Sequence, residues 1–258
     1  MLRLSIISLL ILCISTTLNA KEVAVASSTD LWERPVIIGA SVSDGYHHQE
    51  RLGGPKSDAL AMDHFIKKHF KNNIEITNLS HRFCFFSPLI ISHKQLFDAQ
   101  KIAPSVVIAV DQLFWHIYGI FPSEEDRLKA FQNALDKLTT IECPLVIGNI
   151  PDASKAVRKM LSPRQVPSLE TIDKANATLI TWVNNRVLNK KQTVIVDLAT
   201  FMKLSVADKE IKLNNITYPA GTTKAFLQSD MLHPTAIGVT AISHAVMDAT
   251  KALNIVTP

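Results

Sequence analysis

Five short runs of aliphatic and β-branched residues recur along the chain, and stretches with helical spacing separate them. Nearly every position in each run is apolar, which is typical of strands that are covered on both faces, as in a parallel sheet. The predicted strands are residues 36–38, 74–77, 106–110, 145–147 and 193–196. The predicted helices are residues 55–70, 93–101, 123–140, 168–189 and 235–253.

This alternation of strands and helices predicts a doubly wound α/β domain with a parallel sheet of about five strands. Right-handed crossovers would place helices on both faces of that sheet. Residues 210–218 alternate polar and apolar side chains, and two interpretations stay open for them: a small hairpin or an irregular excursion.

Composition excludes several classes of protein. The chain has 258 residues, 47% of them hydrophobic and 19% charged, so a disordered or fibrous chain is excluded. No linker rich in Ser, Gly or Pro interrupts the middle of the chain, which favours a single domain over residues 21–258. The 27 Lys and Arg against 23 Asp and Glu are scattered, so the charge gives no support to a nucleic-acid partner.

Residues 1–20 have the three-part layout of a secretory signal peptide. Arg3 precedes an apolar run over residues 4–14, and Ala20 is the small residue at the predicted cleavage site. The run is shorter than the roughly 20 residues that a spanning helix needs, so an integral membrane protein is not predicted. Leu12 precedes Cys13 where lipid attachment would favour a small residue. We therefore expect an exported protein, either periplasmic or secreted.

Two cysteines, Cys84 and Cys143, remain in the predicted mature chain. An oxidising compartment would permit them to form a disulfide. Two buried thiols that pack as small hydrophobic groups are the simpler interpretation. The sequence cannot supply the distance between them, so the question stays open.

Candidate catalytic residues follow the first strand and precede the last helix. In doubly wound folds the working site lies at the carboxyl ends of the strands, where Ser41 stands between Gly39 and Gly45. A serine there is either a nucleophile or a helix N-cap. A serine hydroxyl needs an imidazole to take its proton and an acceptor to orient that imidazole, which His233 and Asp230 could supply. An exposed loop with an idle histidine is the alternative.

Two sequence blocks carry a family resemblance. The first is Gly39-Ala40-Ser41-Val42-Ser43-Asp44-Gly45, and the second is Asp230-Met231-Leu232-His233-Pro234. They resemble the Gly-Asp-Ser-x-x-x-Gly and Asp-x-x-His-Pro blocks of the SGNH (GDSL-type) hydrolases, with Ala40 in the place of the aspartate. The resemblance implies a flavodoxin-like three-layer sandwich. It also implies a serine ester hydrolase without a cofactor, in which Ser41 is the nucleophile, His233 the base and Asp230 the residue that orients it.

Two other blocks of that family are missing. Residues 78–82 contain no glycine where the family has one, and residues 111–115 replace its Gly-x-Asn-Asp block. Both family blocks supply donors to the oxyanion hole, and the loss of one such donor lowers the rate by about 10²–10³. The backbone N–H of Ser41, the side-chain amide of Gln112 and the backbone N–H of Ser80 are the candidate donors. These departures keep an inactive relative open as an alternative.

Aromatic residues are expected near the mouth of the site. Phe114 and Trp115 follow the third strand and are predicted to line the substrate pocket, with Phe83, Phe85 and Phe86 after the second. Core packing is the alternative for all five. The resemblance implies a small-molecule, lipid or acylated-carbohydrate ester as the substrate, and nothing in the sequence selects among them.

Two functions from different classes are therefore predicted. The first is an exported serine ester hydrolase of the esterase, lipase or acylhydrolase type. The second is a catalytically silent module that binds a glycan or a lipid. No metal is assigned, because the adjacent His47 and His48 lack a third spaced ligand.

Overall fold

The computed structural model describes residues 30–46 and 60–255. The predicted signal peptide, Cys13, the pair His47 and His48, and the first part of the helix predicted over residues 55–70 lie outside the described residues. Within them, no helix is long and apolar enough to cross a bilayer.

A five-stranded parallel sheet forms the centre of the fold, as the sequence predicts. The spatial order of its strands is β2-β1-β3-β4-β5, which is the order of flavodoxin-like folds. The strands are β1 (Pro35–Ile37), β2 (Thr77–Asn78), β3 (Val106–Ala109), β4 (Leu145–Gly148) and β5 (Thr193–Val196). Every residue of β1, β3 and β4 is buried, which explains why these strands lack polar alternation.

Helices cover both faces of the sheet and make a three-layer sandwich. One apolar core lies between the sheet and α2, α3 and α4, and the second lies between the sheet and α1, α5 and α6. The helices are α1 (Met62–Lys67), α2 (Pro88–Ile102), α3 (Glu124–Leu138), α4 (Leu169–Leu188), α5 (Leu198–Val206) and α6 (Ala236–Ile255). The predicted fold class is confirmed.

The predicted bounds of two elements need correction. Strand β2 has two residues and begins at Thr77, not at residue 74, because it pairs only with the end of β1 through Val36 and Ile37. Helix α2 begins at Pro88, five residues before the predicted start at residue 93. Proline suits the first turn of a helix because it needs no N–H partner there.

Helix α5 was absent from the sequence prediction. Only Asp197 separates its nine residues from β5, and the helix is too short and too apolar to be identified by periodicity alone. Asp197 begins the helix, because its carboxylate accepts a hydrogen bond from the N–H of Thr200 at 3.0 Å. The aspartate at the end of the fifth strand is thus a helix cap.

A small hairpin occupies residues 211–218. Strands β6 (Ile211–Leu213) and β7 (Ile216–Tyr218) pair antiparallel. Asn214 and Asn215 form the turn with φ values of 48° and 63°, which asparagine tolerates better than most residues. The structure therefore selects the hairpin from the two interpretations that the sequence left open.

Cys84 and Cys143 are both free thiols. Burial raises the pKa of Cys84 to about 12 and the pKa of Cys143 to about 11. Cys84 is buried in the core and Cys143 is half-buried against it, in line with the simpler of the two interpretations.

Candidate active site

A tight turn after β1 holds Ser41 at the carboxyl edge of the sheet. The N–H of Asp44 donates to the carbonyl of Ala40 at 3.0 Å, and the N–H of Tyr46 donates to the carbonyl of Ser41 at 2.8 Å. Gly45 has a φ of 77°, and a Cβ added there would lie 2.4 Å from the carbonyl oxygen of Leu60. Only glycine fits that close approach.

Ser41, His233 and Asp230 lie in one line of hydrogen bonds. The Nε2 atom of His233 is 3.0 Å from Oγ of Ser41, and its Nδ1 atom is 2.8 Å from Oδ2 of Asp230. All three side chains are buried. With Nδ1 donating to the carboxylate, Nε2 is left to accept the proton of the serine hydroxyl.

The loop before α6 holds the carboxylate of Asp230 in place. Its Oδ1 atom accepts from the N–H groups of Leu232 at 2.9 Å and His233 at 3.0 Å. Burial would raise the pKa of Asp230, but the hydrogen bonds from His233 and Leu232 and the electrostatic attraction of the His233 ring outweigh it and leave the pKa below its ordinary value. The carboxylate is therefore ionised at neutral pH.

Gln228 closes the same loop. Its backbone N–H donates to the carbonyl of His233 at 2.8 Å, and its side-chain Nε2 donates to the carbonyl of Pro234 at 2.8 Å. The same Nε2 atom also reaches the carbonyl of Tyr46 at 3.2 Å. Because Tyr46 ends the turn of Ser41, Gln228 ties the histidine loop to the serine turn.

A buried carboxylate just after β3, the strand beside β1 in the sheet, also holds the serine turn. Asp111 accepts from the N–H groups of Ala40 at 3.0 Å, Val42 at 2.8 Å and Ser43 at 3.3 Å. It also accepts from the hydroxyl of Ser43 at 2.6 Å. Burial raises the pKa of Asp111, and these four hydrogen bonds oppose the rise without cancelling it.

The role of Asp111 was not predicted. The one feature of the sequence that pointed to Asp111 was its position after the third predicted strand, at the edge of the sheet where the active site was expected. Its partners lie 68 to 71 positions away in the sequence, so no local pattern could have identified them. Ala40 stands at the aspartate position of the resembled block, and the carboxylate against this turn is that of Asp111, just after β3.

The backbone donors after β2 are already engaged. The N–H of Ser80 donates to Oδ1 of Asn78 at 3.0 Å, and the N–H of His81 donates to the carbonyl of Gly39 at 3.0 Å. The N–H of Arg82 donates to Oδ2 of Asp44 at 2.8 Å. The N–H of Ser80 would have to leave Asn78 to bind an oxyanion, and its assignment as an oxyanion donor stays a prediction.

Gln112 is buried at the end of β3, and its Oε1 atom has no hydrogen-bond partner among the described residues. Gln112 is not among the residues that line the two cavities at Ser41 described below. Its assignment to the oxyanion hole stays a prediction.

Two cavities meet at Ser41 and His233. The first is narrow, about 60 Å³, and almost entirely apolar. Its walls include Phe114, Trp115, Ile150, Leu198, Phe201 and Met202. Phe114 and Trp115 thus lie beside Ser41, where the sequence placed them, and Phe114 also stacks on Tyr118 with ring centroids 4.1 Å apart.

The second cavity is wider, about 240 Å³, and has a mixed lining. Besides Ser41 and His233, its walls include Tyr46, Arg82, Phe83, Phe85, Trp115 and Gln165. Arg82 was not predicted as a site residue. Its Nε atom donates to Oδ2 of Asp44 at 2.8 Å, which holds the guanidinium at the edge of this cavity.

Other histidines have structural partners that the sequence did not show. His116 contacts the hydroxyl of Ser92 at 2.9 Å, His69 contacts Ser243 at 3.1 Å, and His244 contacts the hydroxyl of Tyr218 at 2.6 Å. Across residues 30–46 and 60–255, no group of three or more His, Cys, Asp or Glu side chains is placed to hold a metal ion.

Solved structures of ester hydrolases have the same fold. A lipase/acylhydrolase from Enterococcus faecalis is 12% identical, with a TM-score of 0.56 over 85% of this chain and 96% of that chain. An acetylxylan esterase from Geobacillus stearothermophilus is 12% identical, with a TM-score of 0.52 over 84% and 94%. A GDSL-like lipase from Bacteroides thetaiotaomicron is 12% identical, with a TM-score of 0.50 over 89% and 93%.

No protein-family model and no curated protein sequence matches the chain. At identities this low, the structural likeness shows the fold, which is that of the SGNH hydrolases. The activity has to be argued from the site itself.

Proposed function

We propose that this chain, which has the SGNH hydrolase fold, is an exported serine ester hydrolase. The observation that carries the proposal is the line of hydrogen bonds from Ser41 through His233 to Asp230, with distances of 3.0 and 2.8 Å. Its solved structural neighbours include lipases and esterases, which agrees with ester hydrolysis as the class of reaction.

In the proposed reaction, Oγ of Ser41 attacks the carbonyl carbon of the ester while Nε2 of His233 takes the hydroxyl proton. The tetrahedral intermediate collapses, the bond to the alcohol oxygen breaks, and His233 returns the proton to that oxygen. A water molecule then attacks the acyl-enzyme, with His233 again as the base, and releases the acid and free Ser41. The ionised Asp230 keeps the Nδ1 proton in place and stabilises the imidazolium that forms in each step.

The two cavities suggest how an ester would lie. The narrow apolar cavity suits the acyl chain, because it offers almost no polar partner. The wider cavity, with Arg82 and four aromatic rings, suits a larger and more polar alcohol portion. A lipid ester and an acylated carbohydrate both fit this division.

The oxyanion would be bound by the backbone N–H of Ser41 and, in the proposal, by the side chain of Gln112. The N–H groups of residues 80–82 are engaged elsewhere. With fewer donors aimed at the developing charge, we expect a slow esterase.

A catalytically silent module that binds a glycan or a lipid is the second candidate. The observation that favours it is the same engagement of the backbone donors after β2. Such a module would keep the fold and the cavities and would not turn over an ester.

Hydrolysis of p-nitrophenyl esters by purified residues 21–258 separates the two functions. The proposal expects hydrolysis, and expects Ser41→Ala to lower kcat by about a thousandfold or more. Ser154→Ala is the matched control, because Ser154 is exposed and lines neither cavity at Ser41. A folded parent protein that hydrolyses no ester of any acyl length would favour the silent module.

Export is a separate part of the proposal. The mature chain would begin at Lys21 after cleavage behind Ala20, and it would be periplasmic or secreted. Amino-terminal sequencing of the protein from separated cell fractions tests this, and an intact Met1 in the cytoplasmic fraction would contradict it.

A further inference from the structure

Gln165 lies in the wall of the wider cavity, in the loop between β4 and α4. It ends a short 3₁₀ turn over Pro163–Gln165. Its Oε1 atom accepts from the N–H of Ser162 at 2.8 Å, and its own N–H donates to the carbonyl of Ser162 at 3.0 Å. Because a backbone N–H only donates, the amide atom that faces Ser162 is the oxygen. The nitrogen Nε2 is therefore the atom of this amide that is left to contact a ligand.

A buried arginine of α3 holds the backbone of Gln165. Arg127 is 4% exposed, and its Nη1 atom donates to the carbonyl of Gln165 at 3.2 Å. The same atom donates to the carbonyls of Ile117 at 2.8 Å and Gly119 at 2.7 Å. Its Nη2 atom donates to the carbonyl of Arg164 at 2.7 Å. One guanidinium, with its planar fork of donors, thus joins the loop after β3 to the loop after β4.

Further contacts close the same junction. The N–H of Gly119 donates to the carbonyl of Gln165 at 3.0 Å. Glu124, one turn before Arg127 on α3, accepts from Nε of Arg127 at 2.9 Å and from the N–H of Ser168 at 3.0 Å. Residues 164–168 are therefore held against α3 at both ends. Arg127 itself lines neither cavity at Ser41, so it can act on the wider cavity only through the loop that it holds.

The other walls of the wider cavity offer aromatic rings and little net charge. Four aromatic rings line it, and Arg82 is the one Lys or Arg side chain among its described lining residues. Nε of Arg82 already donates to Asp44 at 2.8 Å, so the charge of this pair is balanced. None of the described lining residues is Asp or Glu. The cavity therefore suits a neutral group whose oxygen atoms accept hydrogen bonds, not an ion.

We propose that Nε2 of Gln165 donates a hydrogen bond to an oxygen of the alcohol portion of the ester, and that Arg127 is the positioning residue that holds Gln165 for this contact. The inference rests on the proposed function, which makes the ligand an ester. It assigns the alcohol as a neutral one with further hydroxyl groups, such as glycerol or a sugar. An alcohol with no further oxygen would leave Nε2 without a partner in the cavity, which lowers the affinity.

The test compares two ligands that differ only in hydroxyl groups, glycerol 1-butanoate and propyl butanoate. Isothermal titration calorimetry measures their binding to residues 21–258 with Ser41→Ala, which lacks the proposed nucleophile and leaves both esters intact. We expect this parent protein to bind the glycerol ester about threefold to tenfold more tightly, the gain from one added hydrogen bond. We expect the further change Gln165→Met, which keeps a similar side-chain volume, to remove that preference.

The matched control is Gln132→Met, at an exposed glutamine of α3 that lines neither cavity, and it should keep the preference. Arg127→Lys keeps the charge but loses the fork of donors, so it should reduce the preference as well. The double variant with Gln165→Met should lose no more than Gln165→Met alone, because both changes act on one contact. A merely structural role of Arg127 would weaken both ligands alike and leave the ratio of their affinities unchanged.

A sugar ester, 6-O-butanoylglucose, distinguishes the two kinds of alcohol. Whichever of the glycerol and glucose esters loses more affinity with Gln165→Met carries the contacted hydroxyl group. Circular dichroism establishes that each variant is folded, and if Arg127→Lys does not fold, Gln165→Met decides the outcome. A parent that binds neither hydroxylated ester more tightly than propyl butanoate overturns the inference, as does a Gln165→Met protein that keeps the preference. Binding with this preference, but without hydrolysis by the protein with Ser41 intact, would contradict the proposed function alone.

Discussion

Asp111 occupies the space that a side chain at Gly39 would need. A Cβ atom added at Gly39 would lie 2.2 Å from Oδ1 of Asp111 and 2.7 Å from Oγ of Ser43. The carboxylate of Asp111, just after β3, therefore requires glycine at position 39, and the two residues together determine how the turn of Ser41 lies on the sheet.

We expect Gly39→Ala to displace Asp111 and to misplace Ser41. Forcing a methyl group into this contact should lower the free energy of unfolding by about 1–3 kcal/mol and lower kcat with it. Urea unfolding and ester hydrolysis measure the two effects. Gly119→Ala is the control, because its added Cβ would meet only the ring of Phe121, at 3.2 Å. If both variants kept the parent's stability and kcat, the contact would not constrain the turn.

Asp111→Asn should weaken the turn without changing the volume of the side chain. The amide nitrogen of the new asparagine is a donor and cannot accept a hydrogen bond. In the position of Oδ1 this nitrogen would face the N–H of Ala40, and in the position of Oδ2 it would face the N–H groups of Val42 and Ser43. Each donor left without an acceptor costs about 1–3 kcal/mol. A misplaced Ser41 should react with a fluorophosphonate about tenfold to a hundredfold more slowly.

The control for that experiment is Ser43→Ala, which removes one of the four hydrogen bonds to Asp111 and leaves three. We expect its labelling rate to stay close to that of the parent. An Asp111→Asn protein that is labelled at the parent's rate would show that the carboxylate does not position Ser41.

The lowered pKa of Asp230 predicts a loss of stability in acid. A carboxyl group whose pKa is lower in the folded state contributes stability above its unfolded value, and that contribution is lost as the pH falls through the folded value. For Asp230 the ordinary value is 3.8, so the loss occurs below that pH. Asp230→Asn should therefore be less stable than the parent at neutral pH.

The difference between the two proteins should shrink as the pH falls below the ordinary value of 3.8 for Asp230. Urea unfolding at several pH values measures it, with Asp152→Asn as the control at an exposed carboxylate that lines neither cavity. A difference that stays constant from neutral to acidic pH would contradict the proposed hydrogen-bonded, ionised state.

Gln112→Ala tests the second oxyanion donor. If its amide binds the oxyanion, kcat should fall by about 10²–10³ while KM changes little, since the contact forms chiefly in the transition state. Steady-state kinetics on one p-nitrophenyl ester measures both constants. A variant with the parent's kcat would exclude Gln112 and would direct attention to Arg82, which lines the wider cavity beside Ser41.

Much of the fold could be predicted because parallel strands buried on both faces leave a plain apolar signal. The runs that became β1, β3 and β4 have this character, and the amphipathic α3 between β3 and β4 shows regular helical spacing. Helix α5 could not be predicted, because it has only nine residues and Asp197 alone separates it from β5. The start of α2 was misplaced because the exposed residues of its first turn, Leu89 and Ile90, are apolar and give that turn no amphipathic contrast.

The sequence by itself determined which residues could form the candidate site. Ser41 stands in one short block of sequence, and Asp230 and His233 stand in another. The histidine follows the aspartate by three positions, so their hydrogen bond forms within a single loop. Only the tertiary structure decided what surrounds them. The contact of Asp111 with the serine turn joins residues about 70 positions apart, and the sheet order β1-β3 brings them together. The engaged N–H of Ser80 and the buried side chains of Ser92 and Gln95 likewise depend on how hydrogen bonds are shared in the folded chain, which residue spacing alone does not encode.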